Sequence, residues 1–270
     1  MTYAVLGPKQ TFSDLAFQKY IKQKDVLVDY YPTIYQTIEA LNDHDYAIVP
    51  IENTLDGYVQ PTIDTLLEKG YHIIDEIYIP VQFGFVGHVN HLSELKKVYV
   101  QFVAKNQCQN FIHKINHAEI IHTESNSETL AYAKHINPGE GAILPVHVLK
   151  DVDSLYKQAH ITDSEHNETR FVVVGKKPLL KKAKHYKLSL VIKVIEDRPG
   201  LLFDVLSIFK EKDINLTAIL SRPTKKKMGT YQFFIEMAFD AYKLAELDQT
   251  IDLIQSRFSM DILGKYPNRK

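Results

Sequence analysis

A single cysteine, Cys108, stands in a chain of 270 residues. It excludes an intrachain disulfide framework and fits a reducing compartment. An excess of one charge is also missing, since 32 basic against 33 acidic residues leave a net charge of −1. That balance supplies no global field to gather nucleic acid or a membrane surface. No apolar run approaches the ~20 residues of a membrane helix. The N-terminus passes directly into Tyr3-Ala4-Val5-Leu6, without the basic stretch and long apolar core of a secretory signal. The expectation is a cytoplasmic chain with neither membrane nor nucleic-acid partner. Glycine is sparse, and no dinucleotide or Walker fingerprint forms, because Gly7 stands alone. The twelve histidines lack metal-ligand spacing. His113 and His117, the one pair four apart, have no acid or cysteine beside them and read as solvated. There is no Gly-x-Ser-x-Gly elbow. Cys108 has no base near it in sequence and reads as a buried structural thiol. No metal, cofactor or covalent nucleophile is expected.

What is present fits two domains in 270 residues. Apolar runs that read as buried strands alternate with helical patterns: strands at 3–6, 26–28, 46–51, 98–100, 120–121 and 141–144, and helices after Thr11 or Ser13, after Thr33, after Pro61, over 104–115 and over 128–135. Two long strand-like runs, 71–80 and 81–89, suit a crossover between two lobes. The alternation predicts a parallel α/β sheet in two lobes with a cleft between them. Residues 176–187, rich in lysine with one proline, read as an exposed linker, and Lys225-Lys226-Lys227 as a loop tip. Beyond the linker the order is strand (188–195), turn (Asp197-Arg198-Pro199-Gly200), helix, strand (214–220), hairpin-like connection (221–229), strand (230–238), helix (244–258), strand. This is the βαββαβ ferredoxin-like unit. The domains expected are 1–176, with lobes of roughly 1–78 plus 160–176 and 79–159, a linker at 177–187, and 188–270.

The chemistry concentrates at strand ends. Asn167-Glu168-Thr169-Arg170-Phe171 runs into the buried strand Val172-Val173-Val174-Gly175. Thr169 offers a hydroxyl donor, Arg170 a planar cation suited to carboxylates, and Phe171 an apolar anchor. Glu52 and Asn53 follow the apolar run 46–51, where they form a plausible polar wall, with Gly57 permitting the turn. Thr11 and Ser13 stand at a helix start, where free N–H groups suit an anion.

Four stretches together resemble the prephenate dehydratases across nearly the whole chain. Gly7-Pro8-Lys9-Gln10-Thr11-Phe12-Ser13 is similar to G-P-x-G-T-F-S. Val49-Pro50-Ile51-Glu52-Asn53-Thr54 through Gly57 and Val59 is similar to V-P-I-E-N-S-x-x-G-x-V, and residues 167–171 match N-x-T-R-F in full. Residues 196–236 resemble a regulatory ACT domain, with Arg198-Pro199-Gly200-Leu201-Leu202 at its G-A-L turn, Asn215-Leu216-Thr217 at its N-L-T and Leu220-Ser221-Arg222-Pro223 at its E-S-R-P. The resemblance implies a two-lobed, periplasmic-binding-protein-like catalytic domain followed by an ACT domain. It implies cofactor-free conversion of prephenate to phenylpyruvate, CO2 and water, on the way to phenylalanine. It gives Thr169 the donor role towards the departing hydroxyl, Arg170 that of carboxylate clamp, Glu52, Asn53 and Gln107 that of polar catalytic contacts, and Phe171, Thr11 and Ser13 that of substrate contacts. It also implies L-phenylalanine bound between subunits near Gly200, Leu201, Leu202, Asn215, Ser221, Arg222 and Pro223, in a homodimer or homotetramer.

The chain departs from the family pattern at several positions. Gln10 replaces a glycine, so the first loop's backbone is expected to differ. Val100-Gln101-Phe102-Val103 replaces S-H-P-Q, and Val100 cannot supply a serine's hydroxyl. Leu201 and Leu220 replace alanine and glutamate, which makes phenylalanine inhibition less secure than catalysis. An arogenate dehydratase, or an amino-acid sensor without activity, is the alternative. The absence of a transit peptide favours prephenate.

Overall fold

The computed structural model describes residues 1–21, 25–194, 198–224 and 230–270. The expected ends of strand 188–195 and turn 197–200, and the loop tip 225–229, fall at least partly outside the described residues. The first lobe contains β1 (Thr2–Leu6), α1 (Phe12–Tyr20), β2 (Leu27–Tyr31), α2 (Ile34–Glu39), β3 (Tyr46–Asn53), β4 (Gly57–Tyr58), α3 (Gln60–Lys69) and β5 (His72–Pro80). The second contains β6 (Phe83–Gly87), β7 (Lys97–Gln101), α4 (Phe102–Asn106), α5 (Gln109–Lys114), β8 (Glu119–Thr123), α6 (Asn126–Ala133), β9 (Glu140–Pro145) and β10 (Tyr156–Gln158). The chain then returns as β11 (Glu168–Gly175) and continues into β12 (His185–Lys193), α7 (Leu201–Glu211), β13 (Leu216–Pro223), β14 (Tyr231–Asp240), α8 (Leu244–Arg257) and β15 (Met260–Pro267).

Each lobe has its own sheet, ordered β2-β1-β3-β11-β5 and β10-β6-β9-β7-β8. The sheets are mixed rather than parallel. β11 enters the first lobe from the second, so it runs antiparallel to both β3 and β5. The two crossing segments bond to each other: Val81 N donates to Asn167 O at 2.8 Å, and Ile161 N to Phe83 O at 2.9 Å. Thus β11 occupies the middle of the first sheet and ends at the lobe junction, where Thr169 stands opposite Asn53 of β3.

The last sheet has the order β13-β14-β12-β15, as the βαββαβ pattern predicts. One face carries α7 and α8 over Leu190, Val205, Phe209, Ile235 and Ile254. The other face is apolar too. Val191, Phe234, Leu263 and Tyr266 continue the core of the first lobe through Ile73, Val172 and Val174. Gly264 makes this approach possible, because a Cβ there would lie 2.2 Å from the Ile73 carbonyl oxygen. The C-terminal domain is therefore joined to the first lobe by buried apolar surface, the dominant favourable term in association.

Two local expectations change. The helix expected over 104–115 is broken at Gln107-Cys108, where α4 ends and α5 begins. Asp163, arriving from the return segment, forces the break. Its carboxylate accepts from Gln109 N and Asn110 N at 2.6 and 3.0 Å, and its own N–H donates to Gln107 O at 2.8 Å. A tertiary cap thus replaces helical hydrogen bonds. The lysine-rich linker is also not wholly solvated. Lys181 Nζ donates to Asp75 Oδ2 at 2.8 Å, and Lys187, inside β12, is buried. Cys108 is fully buried, and burial pushes its thiol up to about 12, so it remains protonated and unreactive.

Candidate active site

The cleft between the lobes has a volume of about 730 Å³. Its walls come from the β1–α1 loop, the β3–α3 segment, the starts of α4 and α6, and the beginning of β11. Phe12, Phe83, Pro50 and Val81 give it an apolar side. Its polar floor is a chain of hydrogen bonds. Asp56 Oδ2 accepts from Gln107 Nε2 at 3.3 Å, and Gln107 Oε1 accepts from Asn167 Nδ2 at 2.9 Å. Asn167 Oδ1 accepts from Asn53 Nδ2 at 3.0 Å, and Asn53 Nδ2 also donates to Thr169 Oγ1 at 3.0 Å.

The direction of this chain is fixed at both ends. A carboxylate can only accept, so Gln107 must present its amide nitrogen to Asp56. At the other end Asn53 Oδ1 accepts from Leu55 N and Asp56 N at 2.9 and 3.1 Å, which leaves its nitrogen for Thr169. The Thr169 oxygen is thus an acceptor from the protein, and its hydrogen has no acceptor among the described residues. That hydrogen is available to the cleft. Asn53, Gln107 and Asn167 are buried, so their polarised bonds lie in a low dielectric that strengthens them. Asp56 was absent from the expected site, and reads in sequence as a solvated turn acid.

Of the residues expected from sequence, Thr169, Asn53, Gln107, Thr11 and Ser13 line the cleft. Thr11 spends its hydroxyl on the fold: Oγ1 donates to Pro8 O at 2.9 Å and caps α1 by accepting from Asp14 N at 3.4 Å. The departure at Val100 leaves a fully buried core side chain, and Gln101 caps α4 instead, accepting from Ala104 N at 3.1 Å.

Arg170, Glu52 and Phe171 do not reach the cleft. Successive side chains of a strand point to opposite faces. With Thr169 and Asn53 on the cleft side, Arg170 and Glu52 fall on the face towards the C-terminal domain. There Arg170, 1% exposed, is enclosed by acids. Its Nη1 donates to Glu236 Oε1 and Oε2 at 2.9 and 3.0 Å and to Glu76 Oε2 at 3.3 Å. Its Nε lies 3.0 Å from Glu52 Oε2. A guanidinium so engaged is no substrate clamp, and Glu52 is its partner rather than a catalytic contact. Phe171 packs with Tyr3, Val5, Phe17 and Ile48 in the core behind α1.

The seven residues expected to hold an effector are spread along the C-terminal domain. Gly200, at φ 82°, begins α7 with Leu201 and Leu202, whereas Asn215 follows the other end of that helix, about 16 Å away at 1.5 Å per residue. Ser221, Arg222 and Pro223 end β13, and Arg222 Nη2 donates to both oxygens of Asp64 on α3 at 2.8 Å. Arg222 is therefore a strut between domains. Asn215 lines a pocket with Asp240, Lys243 and Glu246 that the other six do not line.

The lobes also meet at the rim. Gln10, where the resemblance expects glycine, has a left-handed φ of 68°, a conformation glycine adopts freely and other residues at a cost of about 1–2 kcal/mol. Second-lobe contacts oppose that cost. Gln10 Nε2 donates to Asp151 Oδ2 at 3.2 Å, and His147 Nε2 donates to Gln10 O at 3.1 Å. Burial holds the His147 imidazole below its ordinary range, outweighing the pull of Asp14 and Asp151. A lowered folded-state value means that the fold prefers neutral His147. Its contribution is complete above the unfolded value of about 6.5 and is lost as pH falls through the lowered folded value. The denaturant midpoint of the wild type is accordingly expected to fall more steeply between pH 7 and 5 than that of His147→Gln. Equal slopes would remove His147 from the account.

Known proteins resemble the chain over nearly its whole length. Residues 3–179 match the prephenate dehydratase family, and residues 189–241 match the ACT domain. The prephenate dehydratase of Methanocaldococcus jannaschii is 33% identical over 96% of both chains. A crystal structure of the prephenate dehydratase from Staphylococcus aureus superposes with a TM-score of 0.82 at 29% identity, covering 98% of each chain. One from Arthrobacter aurescens in complex with L-Phe gives 0.85 at 26% identity, covering 99% of this chain and 90% of that one.

Proposed function

The chain belongs to the prephenate dehydratase family, and from that premise we propose how its cleft carries out the reaction. Prephenate loses its ring carboxylate as CO2, the electrons of that bond complete the aromatic ring, and the ring hydroxyl leaves and becomes water by taking one proton that comes ultimately from solvent. No electron is exchanged with an outside group. The enzyme must hold a dianion, stabilise the departing hydroxyl and exclude water. The observation that carries the reading is the amide chain on the cleft floor, which leaves the Thr169 hydrogen free to bond the leaving oxygen. An alcohol is a poor acid, so Thr169 acts as a hydrogen bond that strengthens as negative charge develops on that oxygen, rather than as a full proton donor. Asn53 and Gln107 orient it, and Phe12 and Phe83 pack on the ring.

The cleft lining contains no lysine, arginine or histidine among the described residues. The substrate's carboxylates are held instead by neutral donors and the N–H groups at the starts of α1 and α6, beside Ser13 and beside Ser125-Asn126. With no cation in the lining, and with the carboxylates of Asp56 and Glu124 in it, KM for prephenate is not expected to rise between low and moderate salt. A steep rise of KM with salt would point to a cation in the site.

L-phenylalanine is the proposed effector, and an ACT site divided along α7 is completed by a second copy in a cytoplasmic homo-oligomer. Among the described residues no helix is long and apolar enough to cross a membrane. The test is phenylpyruvate formation by the purified chain from prephenate, with arogenate in parallel, with and without L-phenylalanine, and against an enzyme-free control. Turnover of prephenate in preference to arogenate, modulated by L-phenylalanine, is expected. Phenylalanine binding without turnover of either substrate would make the protein a sensor.

A further inference from the structure

Thr169 and Arg170 stand back to back on β11, one at the cleft and the other at the C-terminal domain. Arg170 is held there from three elements: Glu52 on β3, Glu76 on β5 and Glu236 on β14. Of the three, only Glu236 belongs to the C-terminal domain, and it accepts from the guanidinium with both oxygens, at 2.9 and 3.0 Å. Glu236 is itself fixed from within its own domain. Ser189 Oγ donates to its Oε2 at 2.9 Å, and Tyr266 Oη at 3.1 Å. The carboxylate is 2% exposed, so its position follows that domain rather than solvent.

A second connection leads to the same carboxylate. Tyr58 lines the substrate cleft and also the cavity between the domains. Its hydroxyl accepts from Arg170 Nη2 at 3.3 Å and donates to Glu236 Oε1 at 3.5 Å, while its ring lies 5.4 Å from that of Phe234 on β14. Two parts of the cleft wall, Thr169 through its neighbour and Tyr58 directly, are thus tied to one side chain of the other domain. The β11–β3 ladder also changes register between Arg170 and Phe171. Such bulges re-aim side chains, and this one adjoins the residue that Glu236 holds.

We propose that Glu236 is a positioning residue for the dehydration: through Arg170 and Tyr58 the C-terminal domain sets the placement of the Thr169 hydroxyl. A buried ion cluster contributes little net stability but fixes one geometry, which is what a donor aimed at a developing charge requires. The C-terminal domain is then part of the catalytic apparatus, and any displacement of β14 is felt one residue from Thr169.

The inference rests on Thr169 acting as donor, so the test carries a readout independent of turnover. Glu236→Gln keeps the shape and removes the charge. We expect its kcat for prephenate to fall at least tenfold with KM within twofold of wild type. Amide hydrogen exchange should quicken in peptides covering 54–60 and 167–172, while the second-lobe strand 140–145 remains protected. Unchanged kcat and unchanged exchange in a folded variant would overturn the proposal. Quickened exchange with unchanged kcat would confirm the tie and refute its catalytic role, whereas an inactive wild type would indict the reaction assignment instead. Should Glu236→Gln not fold, Ser189→Ala decides. It loosens Glu236 from the far side without touching the cleft. A several-fold fall in kcat supports the proposal, and wild-type kcat sinks it.

Discussion

Arg170→Met is expected to destabilise the protein by about 3–5 kcal/mol, the usual cost of removing one partner from a buried ion pair. Methionine replaces the length of the side chain but leaves Glu76 and Glu236 buried without their cation. Lys187 Nζ, 3.1 Å from Glu76 and 3.9 Å from Glu236, cannot compensate fully, because one ammonium would face two buried carboxylates and is within hydrogen-bond distance of Glu76 alone. The measurement is the denaturant midpoint of wild type and variant at neutral pH. A substrate clamp would behave differently, with KM rising steeply while the midpoint stayed in place. The same variant therefore separates the two roles that an arginine at this position could have.

Thr169→Ala is expected to lower kcat for prephenate by ~10²–10³, the loss that follows removal of one donor aimed at a developing oxyanion, about 2.7–4 kcal/mol. KM should change little, because the bond strengthens in the transition state and adds little to the ground state. Stability should change little as well, because Thr169 is partly exposed to the cleft and Asn53 Nδ2 keeps its bonds to Asn167 Oδ1 and Glu168 O. Steady-state kinetics with a thermal melt on the same sample checks both halves. Loss of activity in step with loss of folded protein would make Thr169 structural.

Of the cleft floor, Thr169 and Asn53 were legible as polar side chains beside an apolar strand and Gln107 through the family resemblance, whereas Asp56 and Asn167 were given no role. Thr169 and Asn53 carry their chemistry in their type and their place. Arg170 and Glu52 were misassigned although the signal was present. Neighbours on a strand face opposite ways, so Thr169 with Arg170, or Asn53 with Glu52, could not both face one cleft. The partner that explains Arg170 was not legible. Glu236 lies 66 residues further on in another domain, and pattern within a segment gives no cross-domain pairing. The break at Gln107-Cys108 was hidden for a similar reason, since the cap that makes it, Asp163, comes from the return segment. The sheets were expected to be parallel from the alternation of strands and helices. That alternation cannot show that β11 is inserted from the second lobe.

The most direct test of the central claim compares kcat of Thr169→Ser with that of Thr169→Val. Serine retains a hydroxyl that Asn53 can hold, and valine retains the shape without it. The account expects serine to keep kcat within about tenfold of wild type, and valine to fall ~10²–10³-fold, as for removal of one transition-state donor. A valine variant with near wild-type kcat would contradict it, because the hydroxyl that the whole amide chain orients would then have no part in the reaction.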